Sequence, residues 1–495
     1  MKFNFPTPYT VLMGVIVIAA IATWFLPSGE YSTIVFNQDT SNFELSSTTG
    51  IELLEGSQLT LNELGILIEL DKFESGDLSR PISVPGTYQT VEKNPQGLLA
   101  IFLAPIKGMY AVIDIVMLVL IIGGFIGVFN STGALDEGVS FLATKLKGRE
   151  SLLIIIVTSL IAIGGTTFGM AEETLAFYPI LVPIFLAAGY DLMVPVAVIF
   201  IGSCMGTMAS TINPFATIIA SDAAGINWTI GFSSRLTMLI LGTTACIAYI
   251  VRYANRAKAD PTKSILYGLN IKSPFKEVET AELHKLELKT VFLLILFGGT
   301  FLVMIIGVAF LHWWLEEMTV LFLISAVLMA FLMRIPEKTF ISRFVDGAKD
   351  LLGVSLIIGI ARGVTIILNE GKVSDTILYQ SVQLVEGTSG FMFLPMLLVV
   401  FFVMAFFISS TSGLAVLTMP IMSSLGQMVG VPTEEIVNAY LFGMGMMLFL
   451  TPANLILPSL AMVNLNYDSW IKFIWPLILI LAVLSVAILW VGLLV

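Results

Sequence analysis

The feature that most constrains this chain is the recurrence of apolar runs about as long as a membrane is thick. A helix needs about 20 apolar residues to cross the hydrocarbon core. Nine runs close to that length stand at 9–26, 110–130, 193–222, 228–251, 290–312, 319–334, 350–368, 436–463 and 470–494. Two further stretches, 152–189 and 389–429, are too long for one helix and are interrupted by the small polar runs GGTTFGMAEET and SSTSG, so each is expected to form a re-entrant hairpin. With 57% hydrophobic and 12% charged residues, against about 25% charged in soluble domains, the chain has the bilayer as its solvent.

Charge orients the spans. Basic residues mark the cytoplasmic side; Lys145, Lys147 and Arg149, eight Lys/Arg within 252–289, and Arg334, Lys338 and Arg343 form three such clusters. Segment 27–97 carries 11 Asp/Glu against Lys72, Arg80 and Lys93 and reads as an extracytoplasmic lobe in which stretches such as TYQTV (87–91) allow a few strands. Lys2 and the apolar stretch Tyr9–Leu26 outline a secretory signal. No small-x-small cleavage site follows, and Trp24 with Pro27 occupies an interfacial anchor position, so 1–26 is expected to stay as a first span with a cytoplasmic N-terminus. The net charge of −11 argues against a nucleic-acid partner, and Cys204 and Cys246, both in apolar stretches, offer neither a disulfide framework nor a metal cluster.

On this orientation block 110–251 starts with a span running inward and 350–494 with one running outward. Residues that break helices coincide between the halves: Pro179, Gly189, Gly202 and Asn213 pair with Pro420, Gly430, Gly443 and Asn454, and Gly108, Gly124, Asn130 and Asp136 with Gly347, Gly363, Asn369 and Asp375. Inverted repeats with broken helices are the architecture of many secondary transporters. The expected organisation is a first repeat over 98–256, a cytoplasmic linker over 257–289, scaffold helices over 290–334 and a second, inverted repeat over 335–495.

Four irregular segments are expected near mid-membrane: the hairpin tips 164–174 and 409–413, and TINP (211–214) and TPAN (451–454) within spans 193–222 and 436–463. Pro214 and Pro452 each remove a backbone donor and free carbonyls. Irregular backbone at that depth persists only where protein or a water-filled cavity satisfies it. The competing view, ordinary proline kinks with Ser/Thr packed between helices, suits one break better than four in two matched pairs. Thr166, Thr167, Ser409, Ser410, Thr411 and Ser412 supply hydroxyls to a solute or ion. Ionisable groups at depth are costly, by at least about 2.5–3.5 kcal/mol on insertion scales, which singles out Glu172, Glu173 and Arg362. A glutamate there suits an amine or a proton, and Arg362 suits a carboxylate; a permanent internal Glu–Arg ion pair is the structural alternative. Asp114 and Arg235, nearer span ends, are expected to be solvated or snorkelling, and His284 and His312 suggest no metal site. The chain carries no P-loop or dinucleotide fingerprint and no nucleophile–base pair at depth, so neither ATP-driven transport nor membrane-embedded hydrolysis is expected.

At these residues the sequence resembles the C4-dicarboxylate anaerobic carrier family of the ion transporter superfamily, particularly its YfcC-like branch. The resemblance runs from ATWFLPSGEY (22–31) through GGTTFGMAEETLAF, TINPF and ARGV to TSGLAVLTMPIM (411–422). It implies an elevator fold, with a scaffold domain, often dimeric, and a transport domain of two hairpins and two broken helices. The site it implies comprises the 166–174 and 409–413 tips with Asn213 and Asn454; with Arg362 added from its depth, the candidate substrate residues are Thr166, Thr167, Glu172, Glu173, Thr174, Asn213, Arg362, Ser410, Thr411, Ser412 and Asn454, and Ser409, Thr411, Asn213 and Asn454 are candidate sodium ligands. Superfamily members with a defined sodium motif carry Ser-Asn-Thr at both tips, and neither tip here does.

The expectation is therefore an all-α polytopic membrane protein of the bacterial inner membrane, an inverted-repeat, elevator-type carrier with about nine spans, two re-entrant hairpins and a small extracytoplasmic lobe. It would work as a homodimer without a cofactor, coupled to Na⁺ or H⁺, and move a carboxylate-bearing metabolite, an amino acid such as arginine or ornithine ahead of a C4-dicarboxylate. The rival of another class is a membrane-anchored receptor or interaction protein that uses the 27–97 lobe.

Overall fold

The structure is a computed structural model that describes every residue except 1–5, 76–77, 79–80, 136, 139–140, 142–148, 270, 272–273, 275–286, 312, 386–387, 389 and 495. Lys145, Lys147, Asp136, Arg80, His284 and His312 thus lie outside the described residues. Helix α1 (Pro8–Phe25) opens on a proline, whose missing N–H is harmless in a first turn, and ends because Pro27 pushes Leu26 into extended backbone. The Trp24 indole then donates to the Gln96 carbonyl at 3.1 Å, tying the end of the helix to the end of the lobe.

The lobe is not helical throughout. Strands β1 (Gly29–Glu30), β2 (Thr33–Asn37), β3 (Asn42–Ser47), β4 (Gly50–Glu55), β5 (Ile82–Ser83) and β6 (Gln89–Thr90) form a four-stranded sheet, in the order β4-β3-β2-β5, and a β1–β6 pair, all antiparallel. Alternation along β2 turns Ile34 and Phe36 inward onto Phe43, Leu61, Ile66, Ile68, Phe73 and Ile82. The all-α description holds for the membrane region, and the lobe is mixed α/β.

Beyond the lobe run α2 (Leu98–Ala111), α3 (Ile113–Asn130), α4 (Ser151–Phe168), α5 (Tyr178–Ala187), α6 (Met193–Met208), α7 (Phe232–Ala259), α8 (Leu288–Leu311), α9 (Leu315–Leu332), α10 (Glu337–Glu370), α11 (Ser374–Val385), α12 (Gly390–Phe407), α13 (Thr411–Met428), α14 (Thr433–Leu448) and α15 (Tyr467–Leu494). Among the described residues, eight helices are long and apolar enough to cross a membrane, rather than nine. Runs 193–222 and 436–463 are not continuous: α6 stops at Met208 and α14 at Leu448, before the Asn-Pro and Thr-Pro breaks. Conversely α4, assigned to a hairpin, is by itself long enough to span. The sequence also hid a boundary at Val112, where φ of −132° separates α2 from α3.

Close glycine contacts build a frame around α10. Gly108 of α2 lies against the Gly359 carbonyl, with no space for a side chain, and Gly347 of α10 sits between Gly123 and Gly127 of α3. Of these, Gly108 and Gly347 are matched in sequence, and each packs against the backbone of a neighbouring helix. The same holds at the broken helices. Gly202 of α6 faces the Thr158 carbonyl of α4, and its counterpart Gly443 of α14 faces the Leu398 carbonyl of α12. Small residues at such crossings let backbones approach where lipid offers no hydrophobic gain.

The lobe is bolted to the end of this frame. The Tyr31 amide donates to Asp375 Oδ2 at 2.9 Å, and burial with Glu30 nearby raises the Asp375 carboxyl to about 6. A raised folded-state value means that the stability from this group is complete below its ordinary 3.8 and declines as pH rises towards 6. Asp375→Asn keeps the acceptor and removes the charge. Thermal unfolding should show wild type losing stability between about pH 4 and 6, a step absent from the variant, which should be the more stable of the two at pH 7.

Candidate functional site

Each of the irregular segments 164–174 and 409–413, the tips, is laced to a neighbouring helix that is itself broken. Helix α4 ends at Gly169, which takes a left-handed φ of 78° and leaves no room for a Cβ against the Asn213 amide. The Asn213 side chain donates to the Gly165 carbonyl at 3.1 Å and accepts from the Phe215 amide at 2.8 Å, so it both caps the half-helix Pro214–Ile218 and grips the tip. Thr166 donates to the Ala209 carbonyl at 2.7 Å and accepts from the Thr211 amide at 2.9 Å. Ser203 of α6 donates to the Met170 carbonyl at 2.6 Å. In the second half the Tyr440 hydroxyl, deep in α14, donates to the Thr411 carbonyl at 2.6 Å. Ser410 caps α13 by accepting from the Gly413 amide at 3.2 Å, and Asn454 bridges its break to the Leu448 carbonyl at 3.2 Å.

The tips and breaks converge on one cavity of about 330 Å³. Of the residues singled out in the sequence, Glu172, Glu173, Asn213, Arg362, Ser409, Ser410, Thr411, Ser412 and Asn454 line it. Thr166, Thr167 and Thr174 do not. Thr166 is consumed by the lacing, Thr167 returns its hydroxyl to the Ile163 carbonyl of its own helix at 2.7 Å, and Thr174 donates to the Ala171 carbonyl at 2.5 Å. Hydroxyls one turn from a free carbonyl satisfy themselves locally. Glu172 and Glu173 begin the 3-10 helix Glu172–Phe177, and Glu173 Oε2 accepts from the Ala171 amide at 3.0 Å.

The frame supplies the opposite wall, through Val112, Ile115, Val308, Trp314, Met318, Ile358 and Arg362. Trp314 reaches across to Phe215 on the broken half-helix, with ring centroids 4.6 Å apart. Ser203 and Thr207 also line the cavity; their i, i+4 spacing on α6 was the signal by which sequence could have found them. Trp314 carried no such signal, since tryptophan beside an apolar run reads as an interfacial anchor.

Asp114 stands half-buried in the first turn of α3, near a span end as expected, whereas one ionisable group is not where the sequence put it. Arg235 is fully buried, because Gly225 and Gly231, both with left-handed φ, fold the 224–231 turn back over it. The guanidinium donates to the Trp228 and Ile230 carbonyls beside buried Glu435, whose Oε1 accepts from Ser234 at 3.1 Å and Asn438 at 3.2 Å.

Residues 5–494 match the family described as C4-dicarboxylate anaerobic carrier. An uncharacterized protein of Haemophilus influenzae is 40% identical, over 96% of this chain and 94% of its own length. The Escherichia coli protein described as "Putative basic amino acid antiporter YfcC" is 25% identical, over 95% and 93%. Among solved structures, the YdaH transporter of Alcanivorax borkumensis is similar over 98% of each chain, at 14% identity and a TM-score of 0.42.

The lacing requires α4 and α6 to touch. A Cβ on Gly206 would collide with the Ala162 carbonyl and stand 2.8 Å from Gly165 Cα, whereas Gly298 has open space. Gly206→Ala should lower stability by about 1–3 kcal/mol through overpacking, read as a drop in melting temperature in detergent, while Gly298→Ala should not lower it.

Proposed function

This chain belongs to the C4-dicarboxylate anaerobic carrier family, in its YfcC-like branch, and we propose that it is a secondary carrier exchanging basic amino acids such as arginine and ornithine. The observation that carries this is the charge around the cavity. Glu172 and Glu173 line it, and Arg362 is the one cationic residue in its lining among the described residues. A like-charge pair at 4 Å opposes binding by about 4 kcal/mol even at an effective dielectric of 20. A dicarboxylate would meet that penalty at the glutamates and gain one arginine. A basic amino acid places its carboxylate at Arg362 and the first-turn amides of α13, which begins at the Ser409–Ser412 wall, and its two cationic groups at Glu172 and Glu173. The description of the Escherichia coli relative supports the same class; the family description keeps C4-dicarboxylates as the alternative.

Because one wall comes from the tips and breaks and the other from the frame, sliding the first against the second would expose the cavity to either side. That is elevator-type alternating access, with re-entrant hairpins as the moving gates and Na⁺ or H⁺ as candidate coupling ions. A homodimer in the bacterial inner membrane, with the lobe outside, completes the proposal. A receptor working through the lobe is less well supported, since among the described residues none that lines the cavity comes from 27–97.

Proteoliposomes loaded with ornithine should take up labelled arginine, and Glu172→Gln and Arg362→Ala should each cut the flux at least about 10-fold, the loss expected for a hydrogen bond to a charged group. Parallel sodium and pH gradients report the coupling ion. Exchange of succinate for fumarate without any arginine flux would transfer the assignment to dicarboxylates.

A further inference from the structure

The lobe is held at two places by different kinds of contact. Towards the frame, Ser28 donates to the Gly371 carbonyl, the Gly29 amide to the Lys372 carbonyl and Thr376 to the Pro27 carbonyl, each at 2.9 Å. Lys372 pairs with Glu30 at 3.1 Å, Asn94 donates to the Glu370 carbonyl at 2.8 Å, and Tyr88 stacks on Tyr379 with centroids 4.2 Å apart. With the Tyr31–Asp375 bond, these fix both ends of the lobe to the end of α10 and the start of α11.

Its other face rests on the tip-bearing half. Val416 of α13, three residues beyond the second tip, is buried in the lobe's own core, and Ile219, in the short helix Ile219–Ala223 that follows the half-helix, packs against that core. The backbone of Leu67 closes over Gly225 so tightly that no side chain would fit. Lys72 of the lobe pairs at 3.2 Å with Asp222, whose side chain is 2% exposed and sits near the end of that short helix. Among the described residues this face is made of the Lys72–Asp222 ion pair, the Leu67–Gly225 backbone contact and an apolar contact at Val416 and Ile219. Both elements it touches belong to the half that must move if the cavity is to open to two sides.

We propose that the 27–97 lobe is a clasp: anchored to the frame, it holds the tip-bearing half on the lobe side and releases it in each transport cycle. The clasp rests on the alternating-access proposal above but not on the identity of the solute. The buried Asp222 charge makes the grip specific, because a carboxylate taken out of water is tolerated when Lys72 meets it and penalised when it does not. The lobe therefore favours one registered docking over a diffuse apolar contact.

Distances between spin labels on protein in lipid nanodiscs test this without a known substrate. Labels at Glu52→Cys on the lobe and Glu316→Cys on the frame should give one distance. Glu52→Cys with Met428→Cys at the end of α13 should give two, docked and released; all three positions are exposed. Lys72→Met combined with Asp222→Asn, or separately Val416→Ala, should raise the released population at least threefold. The idea is overturned if the Glu52–Met428 distance stays single while Glu316–Met428 shows two, for then the lobe rides with the moving half. It is also overturned if neither variant changes the populations. Failure of arginine exchange by the same protein in proteoliposomes would sink the solute assignment and leave these distances to decide the clasp.

Discussion

Backbone polar groups at membrane depth must find partners inside the protein, and the architecture around the cavity follows from that constraint. Four segments abandon regular helix, at Gly169–Ala171, Ala209–Asn213, Ile408–Ser410 and Phe449–Leu455. Lipid would leave each with unsatisfied amides and carbonyls. Instead the segments satisfy one another: Asn213 serves Gly165 and Phe215, Thr166 serves Ala209 and Thr211, and Tyr440 serves Thr411. The polar groups left facing inward are the walls of the cavity. A binding site and a cure for broken helices are here the same set of contacts.

The frame solves a different problem by different means. Helices α2, α3 and α10 have little polar side-chain chemistry at their crossings and rely on glycine, so that backbone meets backbone at Gly108–Gly359 and Gly123–Gly347. A laced, polar half thus faces a close-packed, apolar half across the cavity. That contrast is what a sliding interface requires: each body is cohesive, and between them lie Trp314, Phe215 and a space of about 330 Å³.

The tips and breaks were legible in sequence because Gly, Pro, Asn and Ser are conspicuous in apolar runs, and because matched breakers such as Gly202 and Gly443 make equivalent contacts. The division of roles was less legible. Thr166 and Asn213 look like ligands in sequence and act as fasteners in the structure, since only three-dimensional proximity reveals that Ala209 and Gly165 need them. Arg235 read as a surface residue because nothing local announces that the 224–231 turn closes over it. The docking of the lobe, through Lys72 and Asp222, joins residues 150 positions apart, and neither sequence neighbourhood hints at the other.

The central claim is that solute is held between the two tips and two breaks, with its carboxylate towards Arg362 and α13 and its cationic groups towards Glu172 and Glu173. A cryo-electron microscopy map of the protein in nanodiscs with saturating ornithine tests it most directly. The account predicts density within the cavity bounded by Glu172, Asn213, Arg362, Ser410 and Asn454, lost in Glu172→Gln under the same conditions. Ornithine density on the lobe, or an empty cavity that fills only when succinate replaces ornithine, would contradict it.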